Sequence, residues 1–115
     1  DGLDRAAECA HLADDLQLGE VIAANGRLDG QPPALIIVCP PPILEVGCLR
    51  SMFAGGAVKS QQMATHYRRV AQQRGATFLD AGSVISSSAL DGIHFDMDAH
   101  RTLGVALHAL IAAAA

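Results

Sequence analysis

Asp91 and His94 lie three positions apart in the segment "ALDGIHFDMDAHRTLG", residues 89 to 104. A carboxylate that accepts a hydrogen bond from one imidazole nitrogen fixes the tautomer and orientation of the ring, so the other nitrogen can take a proton from a nucleophile. One short loop therefore supplies both a possible general base, the imidazole, and the carboxylate that would orient it. A D-x-x-H pattern also arises by chance, and a capping or surface role for the two side chains is the alternative.

The same segment contains four side chains that are potential zinc or manganese ligands: His94, Asp96, Asp98 and His100. Asp96 and Asp98 are better explained as the N-cap and a first-turn charge of a helix that follows. His100 shares a helical face with Leu103 and Leu107, which is typical of a packed, hydrogen-bonded histidine. We therefore predict no metal site, and we expect His11, His66 and His108 to be surface residues on helices.

Three consecutive serines, Ser86 to Ser88, lie close to His94 in the sequence and could be considered as nucleophiles. A run of serines in a loop is far more often a flexible connector. We interpret this run as a connector that leads into the Asp91–His94 loop.

The elements that must position this loop alternate along the chain. An amphipathic helix is predicted from Leu3 to about Ala24, ending at the "NG" of Asn25 and Gly26. The run "ALIIVCPPP" is continuously apolar, rich in β-branched residues and closed by Pro40 to Pro42, which predicts a central parallel strand.

A second helix is predicted to begin with Ser60 as its cap and to end at Gly75, with an apolar stripe of Met63, Ala64, Tyr67, Val70 and Ala71. "ATFLDA", residues 76 to 81, predicts a second strand. Asp96 then caps a last helix whose buried face is Leu103, Leu107, Leu110 and Ile111.

Strands that alternate with helices indicate parallel pairing and an α/β fold. We predict adjacent parallel strands at residues 35 to 39 and 77 to 80, with the helix from about 60 to 74 as the crossover. Two strands with three helices leave an unpaired sheet edge and uncovered apolar faces. We therefore expect a partial three-layer α/β/α, flavodoxin-like fold, in which only the last two strands and their flanking helices are present.

Composition limits the classes of partner. The 115 residues suit one domain, and the net charge of −4 argues against a nucleic-acid partner. No apolar run is long enough to span a bilayer, and "DGLDRAAECA" lacks the features of a signal peptide. The three cysteines, Cys9, Cys39 and Cys48, have no C-x-x-C spacing, so we expect buried or half-buried free thiols and a reduced, cytoplasmic setting.

The block "DGIHFDMDAHRTLG" resembles the C-terminal block of the SGNH (GDSL) hydrolases, in which a D-x-x-H motif precedes the last helix. Upstream, "PPALIIVCPPPI" and "KSQQMATHYRRVAQQRGATFLDAGSVI" are similar in order and spacing to the second half of the arylesterase-like branch. The resemblance covers most of residues 32 to 112. It implies that residues 1 to 115 form the C-terminal part of a single SGNH-type domain.

The resemblance also implies roles for individual residues. Asp91 would be the orienting carboxylate of a Ser-His-Asp triad, and His94 would be its general base. The expected pocket residues are Pro41, Pro42, Ile43, Phe53 and Ile93. The implied substrate is a small carboxylic ester, and the implied chemistry needs no cofactor.

The sequence departs from the family pattern in one respect. The family's nucleophile is the serine of a G-D-S motif, and its oxyanion donors include a glycine and the asparagine of G-x-N-D; the chain contains neither motif, and its only asparagine is Asn25. We therefore expect the chain to need a missing N-terminal half, to self-associate through its sheet edge, and to be inactive alone. The alternative is a non-enzymatic remnant or partner-binding module that kept the fold pattern.

Overall fold

The structure, a computed structural model, describes residues 29–114, so the predicted first helix lies outside the described residues. In chain order the elements are strand β1 (Ile36–Cys39), helix α1 (Gly56–Gln61), helix α2 (Met63–Arg74), strand β2 (Thr77–Asp80) and helix α3 (Met97–Ala114). Two short 3-10 turns, Gly47–Leu49 and Ala81–Ser83, follow the two strands.

The two strands form a parallel sheet, as predicted. Ile36 lies opposite Thr77, and Cys39 lies opposite Asp80. The three prolines after Cys39 end β1, because proline has no N–H to donate to a sheet ladder. Both strands therefore deliver the loops that follow them to the same edge of the sheet.

Helix α2 links the strands and packs against both of them. Its predicted apolar stripe is confirmed, since Val70 and Ala71 are buried. Gly75 ends the helix in the left-handed region at φ 63°, a conformation that favours glycine. On the same side, the guanidinium carbon of Arg68 lies 4.9 Å from the centre of the Phe78 ring. One face of the sheet is thus covered by α2.

The predicted start of the second helix at Ser60 is wrong. Gln62 separates α1 from α2 while its backbone stays right-handed, at φ −85° and ψ −14°. Ser60 lies inside α1 and is buried, where its hydroxyl donates to the carbonyl of Ala57 (3.0 Å) and accepts from the N–H of Ile43 (2.8 Å). Its hydroxyl therefore ties α1 to the segment between β1 and α1, residues 40–55, which we call the loop after β1.

Helix α3 begins directly after Asp96, whose carbonyl accepts the N–H of His100 at 3.0 Å, as expected for an N-cap position. Leu103, Leu107 and Leu110 are half-buried. Ile111 is 58% exposed, which corrects its predicted burial. The reason is geometric: consecutive helical residues are rotated by about 100°, so Ile111 falls at the margin of the leucine stripe. No helix within residues 29–114 is both long and apolar enough to cross a membrane.

Candidate active site

Asp91 and His94 are in direct contact. The Oδ2 atom of Asp91 lies 2.7 Å from Nδ1 of His94. The side chain of His94 is 75% exposed, whereas that of Asp91 is 18% exposed. The carboxylate is therefore largely enclosed while the imidazole reaches into solvent.

The second carboxylate oxygen of Asp91 closes a tight turn. Oδ1 accepts the backbone N–H of Ile93 at 2.8 Å and that of His94 at 2.9 Å. These two backbone hydrogen bonds, and then the side chain of His94, lower the pKa of Asp91 from 3.8 to about 2. At neutral pH Asp91 is a carboxylate that can only accept, so Nδ1 of His94 is the donor and Nε2 is left to take a proton.

Ser88 closes the loop that carries the pair. Its N–H donates to the carbonyl of His94 at 2.7 Å, and its own carbonyl accepts the N–H of Gly92 at 2.7 Å. Its hydroxyl accepts the N–H of Leu90 at 3.1 Å. Ser87 and Ser88 are 6% and 4% exposed. The flexible connector expected from the serine run is wrong for these two residues, because buried hydrogen bonds hold them; Ser86 alone is exposed.

The loop after β1 lies against the Asp91–His94 loop. Pro41 is buried, and Pro42 and Ile43 are half-buried. The carbonyl of Pro42 accepts the hydroxyl of Ser87 at 2.9 Å, and the N–H of Leu44 donates to the carbonyl of Gly92 at 2.9 Å. The structure thus brings Pro41, Pro42 and Ile43 next to the loop that contains Ile93.

Phe53, the remaining predicted pocket residue, lies in the turn before α1. It is half-buried, and its carbonyl accepts the N–H of Gly56 at 2.8 Å. A carboxylate oxygen of Glu45 accepts the N–H of Gly55, which connects this turn to the loop after β1. The turn that contains Phe53 is therefore joined to the loop after β1 through Glu45 and Gly55.

The three other histidines among residues 29–114 differ in their exposure. His108 is exposed, as predicted, but His66 is half-buried on α2. His100 is exposed rather than packed and hydrogen-bonded, and its ring meets the ring of Phe95 edge-on at 5.4 Å between centres. Among residues 29–114, no group of three or more His, Cys, Asp or Glu side chains could hold a metal ion.

The two cysteines in the described part of the chain are free and have opposite environments. Cys39 is buried, and burial followed by the charge of Asp80 raises the pKa of its thiol to about 11. Cys48 is exposed, contrary to expectation, because the turn Gly47–Leu49 buries none of its residues. Cys9 lies outside the described residues.

Sequence reasoning missed two glycines and two serines around the pair. Gly47 and Gly92 have φ values of 65° and 79°, and a Cβ atom at either would lie 1.8 Å from a carbonyl oxygen of the facing loop. The Asp-Gly dipeptide is a turn signal that could have identified Gly92. Nothing local identifies the partners of Gly47 and Ser87, which are more than 40 residues distant along the chain.

The chain is similar to solved structures of esterases. No protein-family model and no curated protein sequence matches the chain. The solved structure of the native aryl esterase of M. smegmatis is 32% identical, with a TM-score of 0.79, over 96% of this chain and 53% of the esterase. A carbohydrate acetylesterase family member from Sinorhizobium meliloti is 29% identical, with a TM-score of 0.78, over 92% of this chain and 51% of its own.

The chain thus spans about half the length of the solved structures that it matches. The described part of the chain has an α/β architecture with a parallel two-stranded sheet, which is compatible with part of such a hydrolase fold. The aryl esterases and carbohydrate acetylesterases that the chain resembles are SGNH (GDSL) hydrolases, and the extent of the match is consistent with the C-terminal portion of such a protein.

Proposed function

We propose that residues 1 to 115 are the C-terminal part of one SGNH-type domain, and that the complete domain is a serine esterase that hydrolyses small carboxylic esters. The observation that carries the proposal is the 2.7 Å contact between Asp91 Oδ2 and His94 Nδ1, with the imidazole exposed and the carboxylate held by two backbone N–H groups. An ionised, fixed carboxylate with a solvent-facing imidazole is the arrangement that a general base needs.

In the proposed mechanism, His94 moves the protons and a serine from the other half of the domain forms the bond. Nε2 of His94 takes the serine hydroxyl proton as the serine oxygen attacks the ester carbonyl. The resulting imidazolium, stabilised by Asp91, gives that proton to the departing alcohol as the carbon–oxygen bond breaks. His94 then takes a proton from a water molecule as the water oxygen attacks the acyl-serine. The imidazolium returns this proton to the serine oxygen as the acyl–oxygen bond breaks, which releases the acid and regenerates the free serine.

The pocket is proposed to lie where the loop after β1 meets the Asp91–His94 loop. Ligands of open α/β sheets bind at the carboxyl ends of the strands, and Pro41, Pro42 and Ile43 follow β1 at that end. Ile93 and Phe53 would complete its apolar lining. Apolar side chains without charge suit a small acyl group or an aryl alcohol.

The rest of the three-layer fold is proposed to come from the N-terminal half. A continuously apolar strand predicts burial on both faces, yet Ile36, Ile37 and Val38 are only half-buried in the structure. Additional strands beside β1, and a second helical layer, would complete that burial. The same half would supply the G-D-S serine and the oxyanion donors.

The test is a chimera in which a G-D-S-containing N-terminal half of a family member is fused to this chain. We expect turnover of a short-chain aryl ester, and we expect His94→Ala to abolish most of it. His108→Ala is the matched control, because His108 is exposed on α3 and lies outside the loop. A folded but inactive chimera would instead favour a non-enzymatic binding module, and a chimera that is equally active with His94→Ala would show that His94 is not the general base.

A further inference from the structure

The loop after β1 and the loop that carries Asp91 and His94 are interlocked through their main chains. The N–H of Leu44 donates to the carbonyl of Gly92 at 2.9 Å. The same two residues also approach each other at a second point, where a Cβ atom at Gly92 would lie 1.8 Å from the carbonyl oxygen of Leu44. The two backbones therefore touch with no space for a side chain between them.

Gly47 makes the second part of the contact. A Cβ atom at this position would lie 1.8 Å from the carbonyl oxygen of Leu90, 2.6 Å from its carbonyl carbon and 3.1 Å from Cα of Asp91. These are main-chain atoms, which cannot move aside as the end of a flexible side chain can. Only glycine lets the turn Gly47–Leu49 lie against the residue that holds the carboxylate.

A third tie is made by a side chain. The hydroxyl of Ser87, which is 6% exposed, donates to the carbonyl of Pro42 at 2.9 Å. This hydrogen bond joins the start of the loop after β1 to the start of the Asp91–His94 loop. The two loops are therefore connected at three positions of the loop after β1, namely Pro42, Leu44 and Gly47.

We infer that Gly47 is a positioning residue for the Asp91–His94 pair, and that the loop after β1 acts as the support that holds Asp91 against His94 before any substrate is bound. The role in catalysis rests on the proposed esterase function, but the positioning itself does not. A substitution at Gly47 should accordingly disturb the hydrogen bond between Asp91 and His94, although Gly47 is more than 40 residues away from them along the chain.

The structure offers a closely matched control for Gly47. Gly47 has φ 65°, and Gly75, at the end of α2, has φ 63° with no atom within 4 Å of a Cβ position. Alanine is therefore strained equally by the backbone at both sites, and it collides with another loop only at position 47. Any difference between the effects of Gly47→Ala and Gly75→Ala on the Asp91–His94 pair is therefore due to the contact between the two loops.

The experiment is NMR on the chimera described above, with two readouts that need no enzymatic activity: the proton resonance of the His94 Nδ1–H and the titration midpoint of the Asp91 carboxyl carbon. The chimera with this chain unsubstituted should show the Nδ1–H signal and a midpoint of about 2. Gly47→Ala should lose the signal and raise the midpoint towards 3.8, whereas Gly75→Ala should keep both values.

A second pair of variants keeps the test decisive if Gly47→Ala fails to fold. Ser87→Ala removes only the hydrogen bond to Pro42, and Ser83→Ala removes a comparable 2.7 Å hydrogen bond to the carbonyl of Asp80. Ser87→Ala should raise the Asp91 midpoint and Ser83→Ala should not. The inference is overturned if Gly47→Ala, or Ser87→Ala in its place, leaves both readouts unchanged, if each variant and its control shift alike, or if the unsubstituted chimera titrates at 3.8.

Discussion

At the scale of single residues, backbone hydrogen bonds lower the pKa of Asp91 more than its histidine partner does. The hydrogen bonds from the N–H groups of Ile93 and His94 are the leading causes of its lowered pKa, ahead of the His94 side chain. A carboxylate prepared in this way stays charged whether or not the imidazole is in place. The loop therefore stabilises the charged form of Asp91, which in the proposed mechanism orients His94.

One prediction separates these contributions. His94→Ala removes the imidazole but leaves both backbone N–H donors, so the Asp91 pKa should remain well below 3.8. The measurement is carboxyl-carbon NMR of the chimera as pH is lowered, with His108→Ala as the control. An Asp91 midpoint at 3.8 in His94→Ala would show that the imidazole, and not the turn, holds the charge.

The same lowered pKa predicts how stability depends on pH. A carboxyl group whose pKa is lower in the folded state stabilises the fold above its unfolded pKa, and this contribution disappears as pH falls through the folded pKa. Asp91 should therefore contribute at pH values above 3.8 and lose its contribution between 3.8 and about 2. In urea unfolding of the chimera, Asp91→Asn should lose less stability across that interval than the unsubstituted protein does; equal losses would contradict the assignment.

The two thiols should differ in reactivity. Burial and the charge of Asp80 raise the pKa of the Cys39 thiol to about 11, so very little of it is thiolate near neutral pH. Cys48 is exposed. In a Cys9→Ser background, a disulfide reagent should modify Cys48 rapidly and Cys39 only when the chain is unfolded. Equal rates in the folded chain would mean that β1 is not packed as described.

At the scale of elements, hydrogen bonds that span long stretches of chain join α1 and the two loops into one support. Ser60 is the residue that ties α1 to the loop after β1, through the N–H of Ile43. Ser60→Ala would leave that N–H without its acceptor, at a cost of about 1–3 kcal/mol. Urea unfolding of the chimera measures this cost, and Ser83→Ala, at an exposed hydrogen bond, should cost less. A smaller effect for Ser60→Ala would contradict the supporting role of α1.

The sequence predicted the elements that residues within or next to them determine. The apolar run before Pro40 predicted β1, and Gly75 predicted the end of α2. The settings of Ser60 and Ser87 could not be predicted, because their partners Ile43 and Pro42 lie in a different loop. The serine run also did not indicate the buried turn that Ser88 forms with Gly92 and His94. Periodicity also misplaced Ile111, since a helical stripe has no sharp margin until its neighbours are known.

At the scale of the whole molecule, the described chain covers its sheet incompletely. Ile36 to Val38 are half-buried, and exposed large apolar side chains include Met52, Leu90 and Met97 at 74%, 78% and 77%. Exposed apolar surface and open strand edges promote association. The chain alone should therefore form oligomers in sedimentation experiments and show no esterase activity above background. A compact monomer at high concentration, unfolding cooperatively, would contradict this expectation.

Fusion to an N-terminal half should reverse that behaviour. If the added strands complete the sheet, the chimera should sediment as a monomer and unfold in one cooperative transition, because the apolar side chains of β1 become buried. A chimera that still associates would show that the sheet edge of β1 is not where the other half binds.

The most direct test of the Asp91–His94 pair is the turnover of a short-chain aryl ester by the chimera carrying Asp91→Asn. An amide in place of the carboxylate favours the wrong imidazole tautomer, and the same change in the Ser-His-Asp triad of a serine protease lowers kcat about 10⁴-fold. We expect a loss of roughly 10² to 10⁴ here, because triad carboxylates differ in their contribution. Asp98→Asn, an exposed carboxylate in the first turn of α3, is the control and should change turnover little. Near-unchanged turnover with Asp91→Asn in a folded, active chimera would remove the pair from the mechanism and leave Asp91 only its role in the turn.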